Sequence, residues 1–314
     1  PTRRSSDLGS PPCLVLGLAL TALACGDEGR AWPTAGAAPT RATALAPTPA
    51  PAAGAAPVTI TICYGSEKKT WLEDELARFR ATAPTLRDGR PIRVTAQPIG
   101  SGEAMAAILD GSAQPTAYSP ASSAYLALLN QAWQSRGGHT RPIAPAGEPI
   151  VLSPIVIAMW RPMAEALGWP RRPLGWADLL AVSRDPAGWG AHGHPEWGGM
   201  KLGHTHPEYA SSGLLSALAI AYAGARTPRG LSADALPRVE PFMAAIEDAI
   251  VHYGKSTGLF ADKLIERGPS YLSAAVLYEN LVIESYARPR ALDLVALYPV
   301  EGTFWADHPF SVLD

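Results

Sequence analysis

From Val58 onward the chain alternates short β-branched runs with helical patterns, and Gly or Ser marks each changeover. VTITIC (58–63) predicts a strand. Ser66 follows as an N-cap, after which Trp71, Leu72, Leu76 and Phe79 share one helical face, with Glu73, Asp74 and Glu75 mostly elsewhere. IRVTAQ (92–97) predicts a second strand, then Gly100-Ser101-Gly102 and the helix EAMAAIL. TAY (116–118) predicts a third, then Ser119-Pro120 as N-cap and first helical residue of ASSAYLALLNQAW. Three strand–turn–helix units in succession admit few folds. Parallel neighbours need crossover connections, so the class is α/β, with a mostly parallel sheet covered by helices.

PIVLSPIVIAMW (149–160) is apolar enough to be a buried strand, interrupted at Pro154. A helical half follows, clearest over about 239–253, where Val239, Phe242, Met243, Ile246, Ile250 and Tyr253 recur at helical spacing. SAAVLYE reads as a strand running into the helix NLVIESYA, and LDLVALYPV (292–300) as the last strand. The 314 residues, 47% of them hydrophobic, suffice for one large or two ordinary domains. A net charge of −2 with no basic block argues against nucleic-acid binding. No apolar run reaches the roughly 18–20 residues of a membrane-spanning helix.

The amino-terminal region predicts export. PTRRSSDL (1–8) looks like a translated sequencing-adapter oligonucleotide and is expected to be non-native. Residues 9–24 end in the short apolar run LVLGLALTALA, the pattern of a signal peptide. Cys25 directly after it resembles the lipid-modified cysteine of bacterial lipoproteins, although Ala22 stands where Leu is usual. The Ala/Pro/Thr-rich stretch that continues to residue 57 predicts a tether. The protein is thus expected on the outer face of the cell membrane, touching it only through the lipid. Cys63 is left as a buried, unpaired small hydrophobe. At the other end, HPFSVLD stops just after the apolar run FSVL, with no closing helix to cover that face, which predicts truncation.

Enzyme motifs fare poorly. Ser66-Glu67-Lys68-Lys69 has the S-x-x-K spacing of serine acyl enzymes, but the partner loops those require have no match. Ala249–Ser256, AIVHYGKS, is a loose phosphate-loop match, rejected because its first half falls in the predicted helix where a strand is needed. His192 and His194, and His204 and His206, form two H-x-H pairs that Glu196 or Glu208 could complete as metal sites. Their Gly- and Pro-rich surroundings favour loops, and no metal site or cofactor is assigned.

The stronger pattern is that Ser66, Ser101, Ser119 and the Ser211-Ser212 pair each stand where a helix begins. In a doubly wound sheet these helix N-termini share one edge with the carboxyl ends of the strands. Free N–H groups and hydroxyls there bind small polar or anionic groups without Lys or Arg.

GSEKKTWLEDEL, IGSGEAMAAIL, YSPASSAYLALL, LSPIVIAMWRPMAEALGW, GHTHPEYASSGLLSAL, YLSAAVLYENLVIESYA and YPVEGTFWADHPFSVLD, taken in order, resemble bacterial extracellular solute-binding proteins. The resemblance covers about 58–314 and is nearest the molybdate/sulfate-like branch. It implies a type 2 periplasmic-binding fold of two lobes that close on a ligand as a hinged clamp. Lobe 1 would comprise 58–150 and 277–314, and lobe 2 would comprise 151–276. Carried over loop by loop, the ligand site would be Ser66, Ser101, Ser119 and Ser122 in lobe 1. Lobe 2 would add Thr205, Ser211 and Ser212, with Tyr278, Glu279 and Asn280 at the hinge. The implied protein is a monomeric, non-enzymatic lipoprotein serving an ABC permease. Some relatives carry a von Willebrand factor A domain downstream, so a surface sensor or adhesion protein is the alternative.

Overall fold

The computed structural model describes residues 56–227, 229–289 and 292–314. The expected non-native octapeptide, signal peptide, Cys25 anchor and nearly all of the tether lie outside them.

Strand β1 (Val58–Gly65) starts half-exposed and ends with four consecutive buried residues. Parallel partners flank it, β2 (Ile92–Ile99) on one side and β3 (Ala117–Ser119) on the other. Its side chains alternate between two apolar layers. Ile62 and Tyr64 pack with Leu72 and Leu76 of helix α1 (Lys69–Ala81). Cys63 packs with Ala104 and Ile108 of α2 (Ser101–Asp110) and with Leu126 and Leu129 of α3 (Ser123–Ser135). Burial raises the Cys63 thiol pKa, in keeping with a packing role.

The second sheet is built on β5 (Ser153–Trp160), all eight residues of which are buried. It lies antiparallel to β8 (Ala274–Tyr278), and on its other edge to β9 (Leu294–Leu297) and β10 (Trp305–Ala306). β6 (Leu202–Thr205) runs parallel to β8 and to the edge strand β7 (Ile250–Gly254). Helices α4 (Arg161–Ala166) and α5 (Trp176–Arg184) and the apolar α6 (Ser211–Ala225) share one core with this sheet, together with the buried Trp160, Trp176 and Trp189. The first sheet has the order β2-β1-β3-β11-β4, with β4 at Glu148–Pro149 and β11 at Pro309–Val312.

Several boundaries differ from those predicted. The break in 149–160 falls at 150–152, and Pro154 lies within β5, where it pairs with the short β10. The 239–253 helix is in fact α7 (Leu236–Glu247) followed by β7. Ile250, Val251 and Tyr253 satisfy helical and strand spacing alike, and pairing with β6 decides for the strand. Ser122, not Ser119, caps α3, its hydroxyl accepting from the Ala124 amide at 3.3 Å. Trp71 and Phe79 are exposed, and α1 buries only Leu72 and Leu76.

The chain also returns to the first sheet at β11 rather than at 277, because β8, β9 and β10 complete the two edges of β5. β9 is therefore not the last strand. β11 joins β3 and β4 antiparallel, a pairing that needs no crossover helix.

Candidate functional site

The carboxyl ends of β1 and β3 in lobe 1 face those of β6 and β8 in lobe 2, and the lobes touch there directly. Gly258, in the first turn of α8 (Thr257–Arg267), donates its amide to Ser66 Oγ at 3.0 Å. Asn280, in α9 (Glu279–Ser285), donates to the Glu67 carbonyl at 2.9 Å. Tyr125 Oη donates to the Pro207 carbonyl at 2.7 Å.

At the centre lie three side chains no more than 4% exposed: Glu67, Lys68 and His308. Lys68 Nζ donates to Glu67 Oε1 at 3.0 Å and to the Ser119 and Pro120 carbonyls at 3.0 and 3.1 Å. His308 Nδ1 lies 3.3 Å from the same Glu67 oxygen. Burial pushes the Glu67 carboxyl up, but Lys68 and His308 outweigh it and hold its pKa at about 2. Burial lowers the Lys68 pKa, against the opposing pull of Glu67. The pair neutralises itself, and carbonyls occupy the remaining ammonium donors.

Around this pair stand four buried polar atoms from both lobes that lack a well-formed hydrogen bond: Ser119 Oγ, Ser211 Oγ, Tyr278 Oη and His308 Nε2, with the Ser211 and Tyr278 hydroxyls facing each other. The Tyr278 and His308 rings are 5.3 Å apart. Burial first, and then the Glu67 charge, raise the Tyr278 pKa well above its ordinary value, while hydrogen bonding with the Ser211 hydroxyl acts the other way. Tyr278 is thus a neutral donor. Buried polar groups are rarely left unpaired, and each one left so destabilises the fold by about 1–3 kcal/mol. Their concentration where two lobes meet calls for polar partners that the protein itself does not supply, water or the groups of a solute. Beside it a groove of about 340 Å³ opens between Ser66, Glu67 and Thr70 on one lobe and Gly258, Leu259 and Asp262 on the other.

The other predicted residues are at the same seam but already partnered. Ser101 Oγ accepts from the Ala121 amide at 3.1 Å. Ser212 Oγ bridges Thr205 Oγ1 at 2.6 Å and Thr257 Oγ1 at 2.8 Å. Glu279 is half-buried and accepts from Tyr298 Oη. Asn280 also contacts Glu284 at 2.9 Å and Ser153 at 3.4 Å.

Sequence reasoning passed over Glu67, Lys68, His308, Ser256 and Thr257. Glu67 and Lys68 entered the sequence analysis only within the rejected S-x-x-K match. The available signal was their position directly after a strand, in a turn too short to reach solvent. Ser256 is also buried with an unpartnered hydroxyl. The first half of the phosphate-loop match is strand β7 and not helix, but the motif needs those residues as a loop after a strand, so the rejection stands. The match still begins with Ala249 where the loop needs Gly, and the Gly258 amide is taken by Ser66.

The two histidine pairs go to separate places. His194 stacks on Trp197 at 3.7 Å and contacts Glu196 at 3.0 Å. His204 is buried in β6, with Nε2 3.1 Å from Glu247. Among the described residues no three potential ligands group as a metal site would need.

Two α/β lobes that meet around a polar cluster, with strand ends and helix starts turned inward, define a clamp-type binding protein. Residues 60–312 match the family model of bacterial extracellular solute-binding proteins, and the chain belongs to that family. Solved structures share the two-lobed type 2 fold. AfuA from Actinobacillus pleuropneumoniae, solved with fructose-6-phosphate, is 15% identical, with 82% of this chain and 74% of that one covered and a TM-score of 0.52. Maltose-bound MalE3 from T. maritima is 13% identical, with 82% and 72% covered and a TM-score of 0.51. A periplasmic thiamin binding protein is 12% identical, with 83% and 76% covered and a TM-score of 0.52. No curated protein sequence matches the chain.

Proposed function

We propose that this protein is an exported, lipid-anchored receptor that captures a small polar solute between its lobes and passes it to an ABC importer. It binds its solute without transforming it, and works as a monomer on a tether from Cys25. The observation that carries the reading is the set of unpartnered atoms of Ser119, Ser211, Tyr278 and His308 around the neutralised Glu67–Lys68 pair. Hydrogen-bonding groups of a solute would satisfy them, and contact with both lobes at once is what favours closure. Three or four such bonds at about 0.5–1.5 kcal/mol net each sum to about 1.5–6 kcal/mol, which an association cost of at least about 4 kcal/mol nearly cancels, so these atoms orient the solute and further contacts supply the affinity.

The test begins with mass spectrometry of small molecules released from natively purified protein. The solute found is then titrated against Ser119→Ala and Ser211→Ala by calorimetry. Each variant should bind about tenfold more weakly, with the ligand-free melting temperature nearly unchanged. Normal binding by both variants would place the site elsewhere. For the anchor, labelled palmitate should be lost in Cys25→Ser, and a variant that keeps the label would refute lipidation there.

A further inference from the structure

We infer that the end of lobe 1 away from the cleft is a docking surface for an anionic phospholipid membrane, so that the membrane is met by arginines of the fold as well as by a lipid. The inference takes from the reading above only that the chain is tethered to a membrane, and its experiment uses a chain that cannot be lipidated.

The arginines form no run in sequence. Residues 78–93, RFRATAPTLRDGRPIR, hold Arg78, Arg80, Arg87, Arg90 and Arg93 with a single carboxylate, Asp88. The fold brings them to one place. Helix α1 ends in Arg78, Phe79 and Arg80 beside β2, where Arg80 donates to the Val94 carbonyl at 3.1 Å. The loop that follows makes a tight turn, closed by the Leu86 amide on the Arg90 carbonyl at 2.8 Å, with Arg87 inside it. Arg80 and Arg93 line one recess of about 450 Å³ together with Pro84 and Pro91. All five arginines are exposed, and the Phe79 ring beside them is 40% exposed.

Neutralisation of this patch is incomplete. Arg78 pairs with Glu75 at 2.7 Å and Arg90 with Asp88 at 2.8 Å. No other carboxylate occurs between residues 75 and 95, and among the described residues Arg87 and Arg93 have no acidic partner. Arg78 and Arg80 suit the negative carbonyl end of α1, and Arg93 guards the open edge of β2. Neither reason reaches Arg87, and neither gathers five cations at one end of a chain whose net charge is −2.

The point where the chain enters selects a membrane as the partner. The Val58 amide donates to the Pro91 carbonyl at 2.9 Å and Thr59 pairs with Arg93, so the segment leading from Cys25 joins β1 within this patch. From there β1 runs about 25 Å to the cleft, so a membrane at this end leaves the cleft open. Because the whole chain is negative, attraction to anionic headgroups is confined to the patch and to a Debye length of about 8 Å at physiological salt. Each arginine at such a surface strengthens binding by about fivefold, and an exposed aromatic ring suits the headgroup boundary. Contact on that scale is reversible and leaves the receptor free to move to an importer.

The full chain carrying Cys25→Ser is sedimented with vesicles of phosphatidylcholine alone and with vesicles containing one-quarter phosphatidylglycerol. The apolar run of residues 14–24 acts alike on both, so the ratio of the two partition coefficients is read. A ratio of about 100 is expected at low salt, falling as salt rises. Arg87→Gln/Arg93→Gln should lower it by about 25-fold. Arg171→Gln/Arg184→Gln, an equal loss of charge from exposed sites in lobe 2, should leave it within about twofold. Equal partition of the Cys25→Ser chain between the two vesicles, or equal losses in the two double variants, would overturn the patch and leave the palmitate test of the anchor standing. Tighter binding to duplex DNA than to the anionic vesicles at equal phosphate concentration would overturn the assignment to a membrane.

Discussion

The two lobes share a layered α/β plan but differ in what their interiors are made of. Lobe 2 has one continuous apolar core that takes in every residue of β8, nearly all of β5, most of α6 and three buried tryptophans. Lobe 1 splits its apolar residues between two small clusters on opposite faces of β1, and α3 lends Tyr125 and Leu128 to the core of lobe 2. The charged pair Glu67–Lys68 sits on the lobe 1 side of the seam, while the polar side chains of lobe 2 there, Thr205, Ser212 and Thr257, are neutral and bonded to one another. Lobe 2 is therefore the stability reservoir. Lobe 1 is the thinner layer, carries the buried charged pair and leans on the core of lobe 2 through α3.

That contrast can be broken at several levels. Trp189 is fully buried and donates to Ser273 Oγ, so Trp189→Ala should destabilise by about 3–5 kcal/mol. Leu76→Ala in lobe 1, at a site that is 8% exposed and flanked by a small cluster, should cost nearer 2 kcal/mol. Chemical denaturation measures both, and equal losses would mean that the lobes do not differ as described.

The charged pair sharpens the comparison. Lys68→Met leaves Glu67 buried without its cation and should cost about 3–5 kcal/mol, whereas Glu67→Gln combined with Lys68→Met should recover most of that loss. A double variant as unstable as the single would show that packing, not charge, is what the pair supplies. The same pair sets a pH dependence. Glu67 titrates lower in the fold than in the unfolded chain, so its stabilisation is complete above about pH 4.5. It is lost as pH falls through about 2, and the wild type should lose stability faster over that window than Glu67→Gln does.

The smallest effects concern the hydroxyls. Ser119→Ala and Ser211→Ala remove atoms without partners and should leave stability unchanged or raise it by up to about 1 kcal/mol. Ser212→Ala breaks the bridge between Thr205 and Thr257 and should lower it by about 1–2 kcal/mol. Thermal melts that rank these variants in the reverse order would remove the distinction between binding and structural serines.

Lobe 1 was the more legible half. β1 and β2 are rich in β-branched residues, and each of the three early strands ends in or runs directly into Gly or Ser, so local signals and tertiary pairing agree. In lobe 2 they diverge. Ile250–Gly254 continues the apolar spacing of α7 and becomes a strand only because β6 offers an edge. The return at β11 was illegible because antiparallel pairing with β3 leaves no local signature. At the site, hydroxyls at helix starts were visible by position, but which remain unpartnered depends on contacts between residues far apart in sequence, such as Gly258 with Ser66. His308 is the clearest case. It lies between two short strands with no pattern of its own, and is buried by a fold that brings it against Tyr278 and Glu67.

The central claim is that the unpartnered atoms of Ser119, Ser211, Tyr278 and His308 mark a place built for a solute. Native mass spectrometry of the full chain, purified without denaturation and compared with the same chain unfolded and refolded, tests it most directly. The account predicts one added small-molecule mass on the native wild type, absent after refolding and absent from a folded Tyr278→Phe/Ser119→Ala double variant purified in the same way. Identical masses for native and refolded wild type, or an adduct retained at full occupancy by the double variant, would contradict it.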